Sequence, residues 1–326
     1  MKVLITGATG YIGHRLALAL AAKKIQVNAL VRDVNSIKIP KHPNIKVFQG
    51  DICDLNSIKR AITGCQYVFH TAAYTNLKNR NIDDFYNINV LGTEHILNAA
   101  LAEGIKKVIY TSTLSVFGPS FKQKPITETQ PRLVSYANDY ELTKAMAEEK
   151  VRAYTRNGLP CVILNLTRVY GPGLKSFSNG VNKLVDMITY KSWLVVPSKL
   201  ETMANYVYID DVLNAHISAM TLGKNGERYI IGGENLNYKQ LFNKIKKYTK
   251  SDIKIVQLNY NILKIILILI SKINAILKIG TSLSPRVIDS IFTNRRSSSN
   301  KAISELQYHI TPFKKGISKT IAYLKN

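Results

Sequence analysis

The sequence predicts an α/β fold in which a doubly wound parallel sheet is joined to a smaller C-terminal region. Strand-like and helix-like segments alternate through the first half of the chain, a glycine-rich turn separates the first strand from the first helix, and the regular alternation stops near residue 171. The chain has 326 residues, of which 46% are hydrophobic. That composition provides a large core and excludes disordered and fibrous proteins.

Short apolar runs mark the strands, and longer periodic segments mark the helices between them. The strand candidates are Val3 to Thr6, Val27 to Val31, Val47 to Gln49, Tyr67 to His70, Lys107 to Thr111 and Pro160 to Leu166. The helix candidates are Ile12 to Ala22, Leu55 to Ala61, Asn89 to Ala102 and Tyr140 to Asn157. Strands separated by helices of this length form right-handed βαβ units, so we expect a parallel sheet with helices on both faces.

The end of this alternation predicts two regions, residues 1–170 and residues 171–326. We expect the first region to bind a nucleotide and the second to bind mainly the substrate. A strand-like piece and a helical piece around residues 205–220 are expected to return to the first region. The sequence contains no internal repeat and no low-complexity segment.

The balance of charge is unusual, because 45 Lys and Arg residues face 21 Asp and Glu residues, which gives a net charge of +24. This charge is compatible with nucleic acid, an anionic membrane surface or anionic small molecules as partners, or with a compositional bias of the genome. No nucleic-acid-binding module or basic patch interleaved with aromatic residues accompanies it, so we expect no nucleic-acid partner.

Cysteine usage and the first residues predict the compartment. Cys53, Cys65 and Cys161 are widely spaced, which provides neither a metal site nor a disulfide framework and is typical of a reducing compartment. The chain enters a strand pattern at its second or third residue, and no run of about 18 apolar residues occurs. We therefore expect a cytoplasmic protein without a bound metal.

The turn after the first strand has the residues that a phosphate-binding loop needs. Gly7 permits a tight turn, Gly10 lets the backbone approach a pyrophosphate, and Gly13 lets the helix pack close to the strand. Free N–H groups at the helix start would face the anion, although a purely structural turn is the alternative. The candidate cofactor-binding residues of this segment are Gly7, Thr9, Gly10, Tyr11, Ile12 and Gly13.

This spacing, Gly-x-x-Gly-x-x-Gly, resembles the extended short-chain dehydrogenase/reductase family, which implies a Rossmann fold and a nicotinamide dinucleotide. In that family an acidic residue after the second strand binds the ribose hydroxyl of NAD. Here Val31 takes its place and Arg32 follows. A guanidinium at this point suits a 2′-phosphate, so NADP is expected rather than NAD. The alternative is that Arg32 is an ordinary surface residue and Asp33 binds the ribose of NAD.

The resemblance extends to the segments after the third and fourth strands. Asp51 and Ile52 resemble the residues that contact the adenine, and Ala72 and Ala73 belong to a segment that resembles the floor of the cofactor site. His70 opens this segment, and we expect it to serve packing rather than catalysis. Residues 87–97 resemble the helix that follows.

The pattern Tyr-x-x-x-Lys, which places a phenol and an ammonium on one helix face, occurs three times: Tyr74/Lys78, Tyr140/Lys144 and Tyr260/Lys264. The family resemblance selects the middle pair, because a hydroxyl cluster ends the fifth strand and its third member, Thr113, matches the family's catalytic hydroxyl. The resemblance implies that Tyr140 is the acid–base, that Lys144 orients the ribose and lowers the pKa of the Tyr, and that Thr113 holds the substrate oxygen. Tyr140 and Lys144 would also contact the cofactor. Ser112 is the alternative to Thr113.

Departures from the family pattern narrow the substrate. Thr113-Leu114-Ser115 lacks the acidic pair of sugar-nucleotide dehydratases, Arg168 stands where epimerases keep an Asn, and the segment Met203 to Asp211 lacks the nucleotide-binding Arg of epimerases. The chain resembles the dihydroflavonol-4-reductase-like branch, also at residues 226–235 and 299–308. We expect an oxidoreductase that reduces a ketone or oxidises a secondary alcohol of a small, apolar, non-nucleotide molecule. An NAD-dependent sugar epimerase using the same residues and a non-catalytic cofactor-binding sensor are the alternatives.

Residues 262–279 predict a helix that is apolar around most of its circumference, with a narrow polar stripe at Lys264, Ser271, Ala275 and Lys278. Residues 251–326 contain 12 basic and 3 acidic side chains, about twice the density of net charge in the first 250 residues. Burial in the substrate region or at a homodimer interface is the more conventional interpretation. Peripheral contact with an anionic membrane is the other.

Overall fold

A computed structural model describes residues 1–77, 81–121, 124–175, 179–276 and 285–325. Seven parallel strands form the main sheet in the order β10-β6-β5-β4-β1-β2-β3, which confirms the predicted doubly wound α/β fold. The strands are β1 (Lys2–Thr6), β2 (Gln26–Val31), β3 (Ile45–Gln49), β4 (Tyr67–His70), β5 (Lys107–Thr113), β6 (Cys161–Leu166), β7 (Arg168–Tyr170), β8 (Trp193–Pro197), β9 (Met203–Tyr208), β10 (Arg228–Ile231), β11 (Glu234–Asn237) and β12 (Lys254–Leu258).

Helices cover both faces of this sheet. They are α1 (Tyr11–Ala22), α2 (Leu55–Ile62), α3 (Ile82–Tyr86), α4 (Gly92–Ala102), α5 (Asp139–Arg156), α6 (Gly180–Tyr190), α7 (Ile209–Thr221), α8 (Tyr238–Thr249), α9 (Tyr260–Ile276), α10 (Pro285–Ile291), α11 (Asn300–Leu306) and α12 (Phe313–Lys325). A π-helical turn at Asn87–Leu91 joins α3 to α4, and a 3-10 turn at Leu114–Phe117 follows β5. One apolar core lies between the sheet and α2, α4 and α5, and a larger one includes α1, α7 and the second region.

The two predicted regions interleave along the chain. β7, which precedes residue 171, lies in a three-stranded sheet with β9 and β11, whereas β10 crosses back to become an edge strand of the main sheet. The helix expected near residues 209–220 does pack on the first region, where α7 contacts α1 and β5. The strand expected beside it is β9, which belongs to the smaller sheet and not to the main one. β8 and β12 form a further two-stranded sheet.

The apolar segment predicted at residues 262–279 forms α9, whose described part begins at Tyr260 and ends at Ile276. Residues 277–279 lie outside the described residues. Tyr260, Leu263 and Leu267 pack against Ile288 of α10 and against Phe292. In the part of the chain that the structure describes, no helix is both long enough and apolar enough to span a membrane.

Two histidines are fully buried beside the sheet. His70, at the end of β4, binds the Thr6 hydroxyl through Nδ1 at 2.6 Å and the Thr93 hydroxyl through Nε2 at 3.0 Å, in keeping with the packing role expected for it. His216 of α7 binds the Thr111 hydroxyl at 2.8 Å. Burial lowers the pKa of His70 to about 3, with Lys144 contributing, and lowers the pKa of His216 to about 4. Both imidazoles are therefore neutral in the folded protein at physiological pH.

These two histidines make the stability of the fold depend on pH. Because the unfolded chain binds protons near pH 6.5 and the folded chain does not, stability is lost as pH falls below about 6.5. Between pH 7 and pH 5 we expect each histidine to lower the free energy of unfolding by about 2 kcal/mol. Chemical denaturation at the two pH values measures the loss. His216→Asn should remove its share of this loss, whereas His309→Gln, a change at an exposed histidine, should not; an unchanged pH dependence in His216→Asn would contradict the assignment.

Candidate active site

The glycine-rich turn between β1 and α1 brings three backbone segments into contact. Gly7 has a φ of +74°, which glycine adopts without strain. A Cβ added to Gly13 would lie 2.2 Å from the Gly7 carbonyl oxygen and 2.6 Å from the Thr71 hydroxyl oxygen. The first turn of α1 can therefore approach the β1 turn and the segment after β4 only because residue 13 has no side chain.

The first residues of α1 and the turn before it are accessible to solvent. Gly10 is the N-cap residue and provides no side-chain acceptor, so the first N–H groups of the helix are available to an anion. Thr9 and Ile12 are partly exposed there. The side chain of Tyr11 is turned inward instead, and its hydroxyl donates to the Gly171 carbonyl at 2.8 Å. Of the predicted cofactor-binding residues, Tyr11 can thus contribute only its backbone, while its ring joins the two regions.

The other predicted cofactor residues lie at the carboxyl ends of β2, β3 and β4. Arg32 is exposed directly after β2, whereas the Asp33 carboxylate already accepts from the backbone N–H of Asn35 at 2.9 Å. Asp51 is partly exposed and its carboxylate accepts from the Cys53 N–H at 2.9 Å, while Ile52 is buried against Gly92.

Ala72 and Ala73 follow β4 and are both partly exposed. The Ala72 N–H donates to the Thr6 hydroxyl at 3.3 Å, and its backbone lies under the Gly7 turn. Together with the residues after β2 and β3, this segment forms one continuous edge around the glycine turn, at the carboxyl ends of parallel strands, where doubly wound sheets bind ligands.

Lys144 is anchored in the interior by β5. Its ammonium donates to the Tyr110 hydroxyl at 2.5 Å and to the Thr111 carbonyl at 2.8 Å, and its side chain is fully buried. Burial lowers the pKa of Lys144 to about 7, although the Glu148 carboxylate opposes the change. The ammonium is therefore easily deprotonated, and it is held within the same edge of the sheet as the hydroxyl cluster.

Tyr140 lies one turn before Lys144 on α5, beside the end of β5. Burial raises the pKa of Tyr140 to about 12, and a hydrogen bond with the Thr113 side chain opposes the rise. The expectation that Lys144 lowers this pKa differs from the structure, because the Lys144 ammonium binds Tyr110 and Thr111 and the lowering contribution comes from Thr113. The phenol is therefore protonated at neutral pH, and the Thr113 hydroxyl binds the Ser115 hydroxyl at 3.1 Å at the end of β5.

Ser112, the alternative to Thr113, is directed into the core. Its hydroxyl donates to the Glu148 carboxylate at 2.5 Å, and the Asn165 amide donates to the same oxygen at 2.6 Å. Burial raises the pKa of Glu148, and the hydrogen bonds from Ser112 and Asn165 oppose this change. Glu148 and Tyr110, which support the site, carry no motif that singles them out in the sequence. A weaker signal for Glu148 was present, since it follows Tyr140 and Lys144 at the same four-residue spacing along α5.

A second buried carboxylate, Glu141, ties α5 to the C-terminal part of the chain. It accepts from Arg295 at 2.6 Å, from Arg132 at 3.2 Å and from the Ser290 hydroxyl at 3.1 Å. Although burial alone would raise it, Arg295 and Arg132 hold the pKa of Glu141 below its usual value. The residue next to Tyr140 is thus an ionised anchor that fixes the segment after α10 over this end of α5.

The two other Tyr-x-x-x-Lys pairs have different surroundings. Tyr260 and Lys264 both bind the carboxylate of Asp289, which joins α9 to α10. Tyr74 stacks edge-on against Phe85, and Lys78 lies outside the described residues. Among the pairs whose two members the structure describes, Tyr140/Lys144 is the one that meets the hydroxyl cluster of β5.

Arg168 opens β7 and is used entirely within the protein. Its guanidinium donates to the Tyr238 hydroxyl at 2.5 Å and to the Ile291 carbonyl at 2.6 Å, and it lies 5.8 Å from the ring centroid of Tyr206. Nearby, Ala204 is fully buried, and Asn205 binds Gly233 and Asn235. The Arg168 guanidinium is thus held by hydrogen bonds to a hydroxyl and a backbone carbonyl of the protein itself.

A dinucleotide fits this arrangement for two reasons. Gly7 and Gly13 leave no room for a Cβ, so the backbone forms a close turn at the start of α1, the glycine cradle, that can hold a pyrophosphate. Tyr140, Lys144 and the hydroxyl cluster of β5 lie at the same edge of the sheet. Fold and site together define a Rossmann-fold protein of the short-chain dehydrogenase/reductase class. Within that class, the chain belongs to the NAD dependent epimerase/dehydratase family, whose sequence model matches residues 3–232.

Comparisons with individual proteins agree with this assignment. The chain is 28% identical over 254 residues to sterol demethylase protein B of Methylococcus capsulatus, covering 76% of this chain and 75% of that protein. It is 30% identical over 239 residues to a protein of Synechocystis described as a dihydroflavonol 4-reductase, covering 72% and 68%. The solved UDP-glucose 4-epimerase of Thermotoga maritima shares the fold, with a TM-score of 0.82, 22% identity and coverage of 100% and 99%.

The glycine cradle makes cofactor binding sensitive to a single methyl group. Gly13→Ala forces α1 away from the Gly7 turn, so we expect the Kd for NADPH and NADH to rise at least about tenfold and the free energy of unfolding to fall by about 2 kcal/mol. Fluorescence titration and chemical denaturation measure the two effects. The matched control is Gly180→Ala, since a Cβ at Gly180 meets nothing within 4 Å. Cofactor binding by Gly13→Ala at wild-type affinity would contradict this account of the cradle.

Proposed function

We propose that the protein is an NADP-preferring oxidoreductase that reduces a ketone, or oxidises a secondary alcohol, of an apolar non-nucleotide substrate. The observation that carries the proposal is the position of α5 against the end of β5, which places Tyr140 near the Thr113 side chain and one helical turn from the buried ammonium of Lys144. A nicotinamide dinucleotide, when bound, supplies or accepts the hydride.

The protonation state of Tyr140 suits a proton donor in the direction of reduction. With a pKa raised to about 12 by burial, the phenol carries its proton at neutral pH and can donate it to a carbonyl oxygen as that oxygen becomes an alcohol. The Thr113 hydroxyl lies beside the phenol and would hold the same oxygen. In the reverse reaction the proton returns from the alcohol to the phenolate of Tyr140.

Lys144 is proposed to bind the ribose of the cofactor and to balance charge at Tyr140. Because burial lowers the pKa of Lys144 to about 7, the side chain is close to the balance between its protonated and neutral forms at neutral pH. The contacts with Tyr110 and Thr111 hold its side chain at the edge of the sheet, within one helical turn of Tyr140. Glu148 lies behind it and supplies the compensating negative field.

The residues of the second region favour a non-nucleotide substrate. Nucleotide sugars carry a diphosphate, and Arg168, the cation at the start of β7, is committed to Tyr238 and Ile291. Ala204, in the segment where epimerases carry an Arg, offers no charge. The described relatives include a sterol demethylase protein and a dihydroflavonol reductase, whose names indicate largely apolar substrates, and this supports the same class for the chain.

The choice of NADP rests on the residues after β2. Arg32 is exposed and extends from the sheet edge, whereas the Asp33 carboxylate is engaged by the Asn35 N–H. A guanidinium at this position matches a 2′-phosphate, which is the group that distinguishes NADP from NAD. The family description names NAD, so the proposed preference for NADP depends on Arg32 alone.

The second candidate function is an NAD-dependent epimerase, because the family includes epimerases and the same Tyr, Lys and Thr would serve to oxidise and re-reduce one sugar carbon. The two functions differ in the fate of the cofactor. A reductase consumes NADPH added in solution, whereas an epimerase retains NAD and shows no net consumption. The third reading, a sensor without catalysis, does not account for the retention of Tyr140, Lys144 and Thr113 together.

The proposal predicts the effect of removing the phenolic hydroxyl. Tyr140→Phe should lower kcat for NADPH-dependent reduction of apolar ketones by about 10²- to 10⁴-fold and leave the cofactor Kd within about twofold. Thr113→Val should cost about 10²-fold, and Thr113→Ser should restore most of the rate. Tyr154→Phe is the control, because Tyr154 lies on the same helix but binds Asn98 away from the site. Full activity of Tyr140→Phe, or release of NAD and a nucleotide sugar from the purified protein, would overturn the reductase assignment.

Cofactor preference provides an independent test. Arg32→Ala should raise the KM for NADPH by about tenfold or more and leave the KM for NADH nearly unchanged, because only NADPH carries the phosphate that the guanidinium would pair with. Lys23→Ala, which removes an exposed cation at the other end of α1, is the control. Steady-state kinetics with both cofactors measure the effect, and an equal change in both KM values would refute the role of Arg32.

A further inference from the structure

α9 has one side that is packed and a much larger side that is not. Tyr260, Leu263 and Leu267 face the body of the protein, and Lys264 is paired with Asp289 of α10 at 2.8 Å. These contacts fix the helix on α10. Most of its other described side chains are exposed to solvent.

Seven large aliphatic side chains of α9 are exposed, each by 39–58%. They are Ile262, Ile265, Ile266, Ile268, Leu269, Ile270 and Ile273. Proteins that stay in water rarely expose so much contiguous apolar surface, because each such side chain gains about 1.5–3 kcal/mol on full burial. Such a face is typical of a surface that binds another apolar body, and among the described residues these side chains are not buried within the chain.

The composition of this face indicates what covers it. Protein interfaces are enriched in Tyr, Trp, Phe, Met and Arg, yet all seven exposed residues are Ile or Leu. The helix contains no acidic residue, and Lys199 stacks on the ring of Tyr260 at its N-terminal end, 3.6 Å from the ring centroid. The surrounding sequence from residue 251 onward carries a net charge of +9. The aliphatic face matches the hydrocarbon of a bilayer, and Lys199 with the net positive charge of the chain matches its anionic headgroups.

We propose that α9 is a docking helix that lies in the surface of an anionic lipid bilayer, with its Ile and Leu face inserted at the level of the headgroups and the upper acyl chains. A helix of 17 residues is about 25 Å long, and it would lie parallel to the membrane rather than cross it. The net charge of +24 strengthens the attachment through long-range attraction to anionic lipids.

The same helix is connected directly to the active site. α10 holds α9 through Asp289 and Ile288, and the residues that follow Asp289 reach the site, where Ser290 donates to Glu141 and the Ile291 carbonyl accepts from Arg168. A single helix thus separates the proposed membrane face from the wall of the substrate region. Docking at α9 would present this wall to molecules dissolved in the bilayer.

Co-sedimentation of the full chain with vesicles tests the proposal without reference to catalysis. We expect binding to phosphatidylcholine vesicles that contain about 30 mol% phosphatidylserine, weaker binding to phosphatidylcholine alone, and a decrease as salt rises from about 0.1 M to about 0.5 M. The triple variant Ile265→Ser, Leu269→Ser and Ile273→Ser should bind the anionic vesicles at least about tenfold more weakly. Its thermal unfolding midpoint should equal or exceed that of the wild type, since the three side chains are exposed.

The matched control is the triple variant Leu101→Ser, Leu222→Ser and Ile303→Ser, which removes exposed aliphatic side chains from α4, from the end of α7 and from α11 and should bind vesicles like the wild type. Absence of vesicle binding by the wild type, or equal binding by the α9 variant, would overturn the proposal. Light scattering distinguishes the main competitor: a wild-type dimer that the α9 variant dissociates, without vesicle binding, would show that a second copy of the chain covers this face.

Discussion

The ammonium of Lys144 is buried against β5, and the candidate site depends on that placement. A buried cation is costly unless its hydrogen bonds are satisfied, and here the Tyr110 hydroxyl and the Thr111 carbonyl satisfy two of them. Burial still disfavours the charged form and lowers the pKa of Lys144 to about 7. Because those partners belong to β5, α5 is held at one position along the strand, and this position brings Tyr140 to Thr113.

A stripe of residues at four-residue spacing on α5 continues the same arrangement into the core. Tyr140, Lys144 and Glu148 lie along one side of the helix, and Glu148 receives hydrogen bonds from Ser112 of β5 and Asn165 of β6. The functional end of the stripe is partly exposed and its far end is buried. Polar groups in such a row are stable only as a connected network, so the residues behind the site are as constrained as those within it.

Two arginines of the second region form hydrogen bonds within the protein. Arg168 and Arg295 could each have faced an anionic substrate, but one binds Tyr238 and the Ile291 carbonyl and the other binds Glu141. Both ties involve the segment that begins with α10, on which α9 is mounted. The segment from α9 to Arg295 therefore contacts both Arg168 and Glu141 near the candidate site and carries the exposed apolar face of α9. It connects the candidate site to the surface that we propose binds lipid.

The sequence by itself determined the main sheet and the glycine turn, because strand and helix periodicity and close backbone approach are local requirements that leave a local pattern. The Tyr-x-x-x-Lys pattern occurs three times, so the choice of Tyr140 and Lys144 depended on the family resemblance. The helix near residues 262–279 was also predictable from its period alone. Only the tertiary structure decided that Ser112 turns into the core toward Glu148, that Tyr110 binds the Lys144 ammonium, that β9 pairs outside the main sheet while β10 joins it, and which side of α9 stays exposed. These outcomes depend on which groups from distant parts of the chain share a hydrogen bond or exclude water, and a linear pattern does not contain that information.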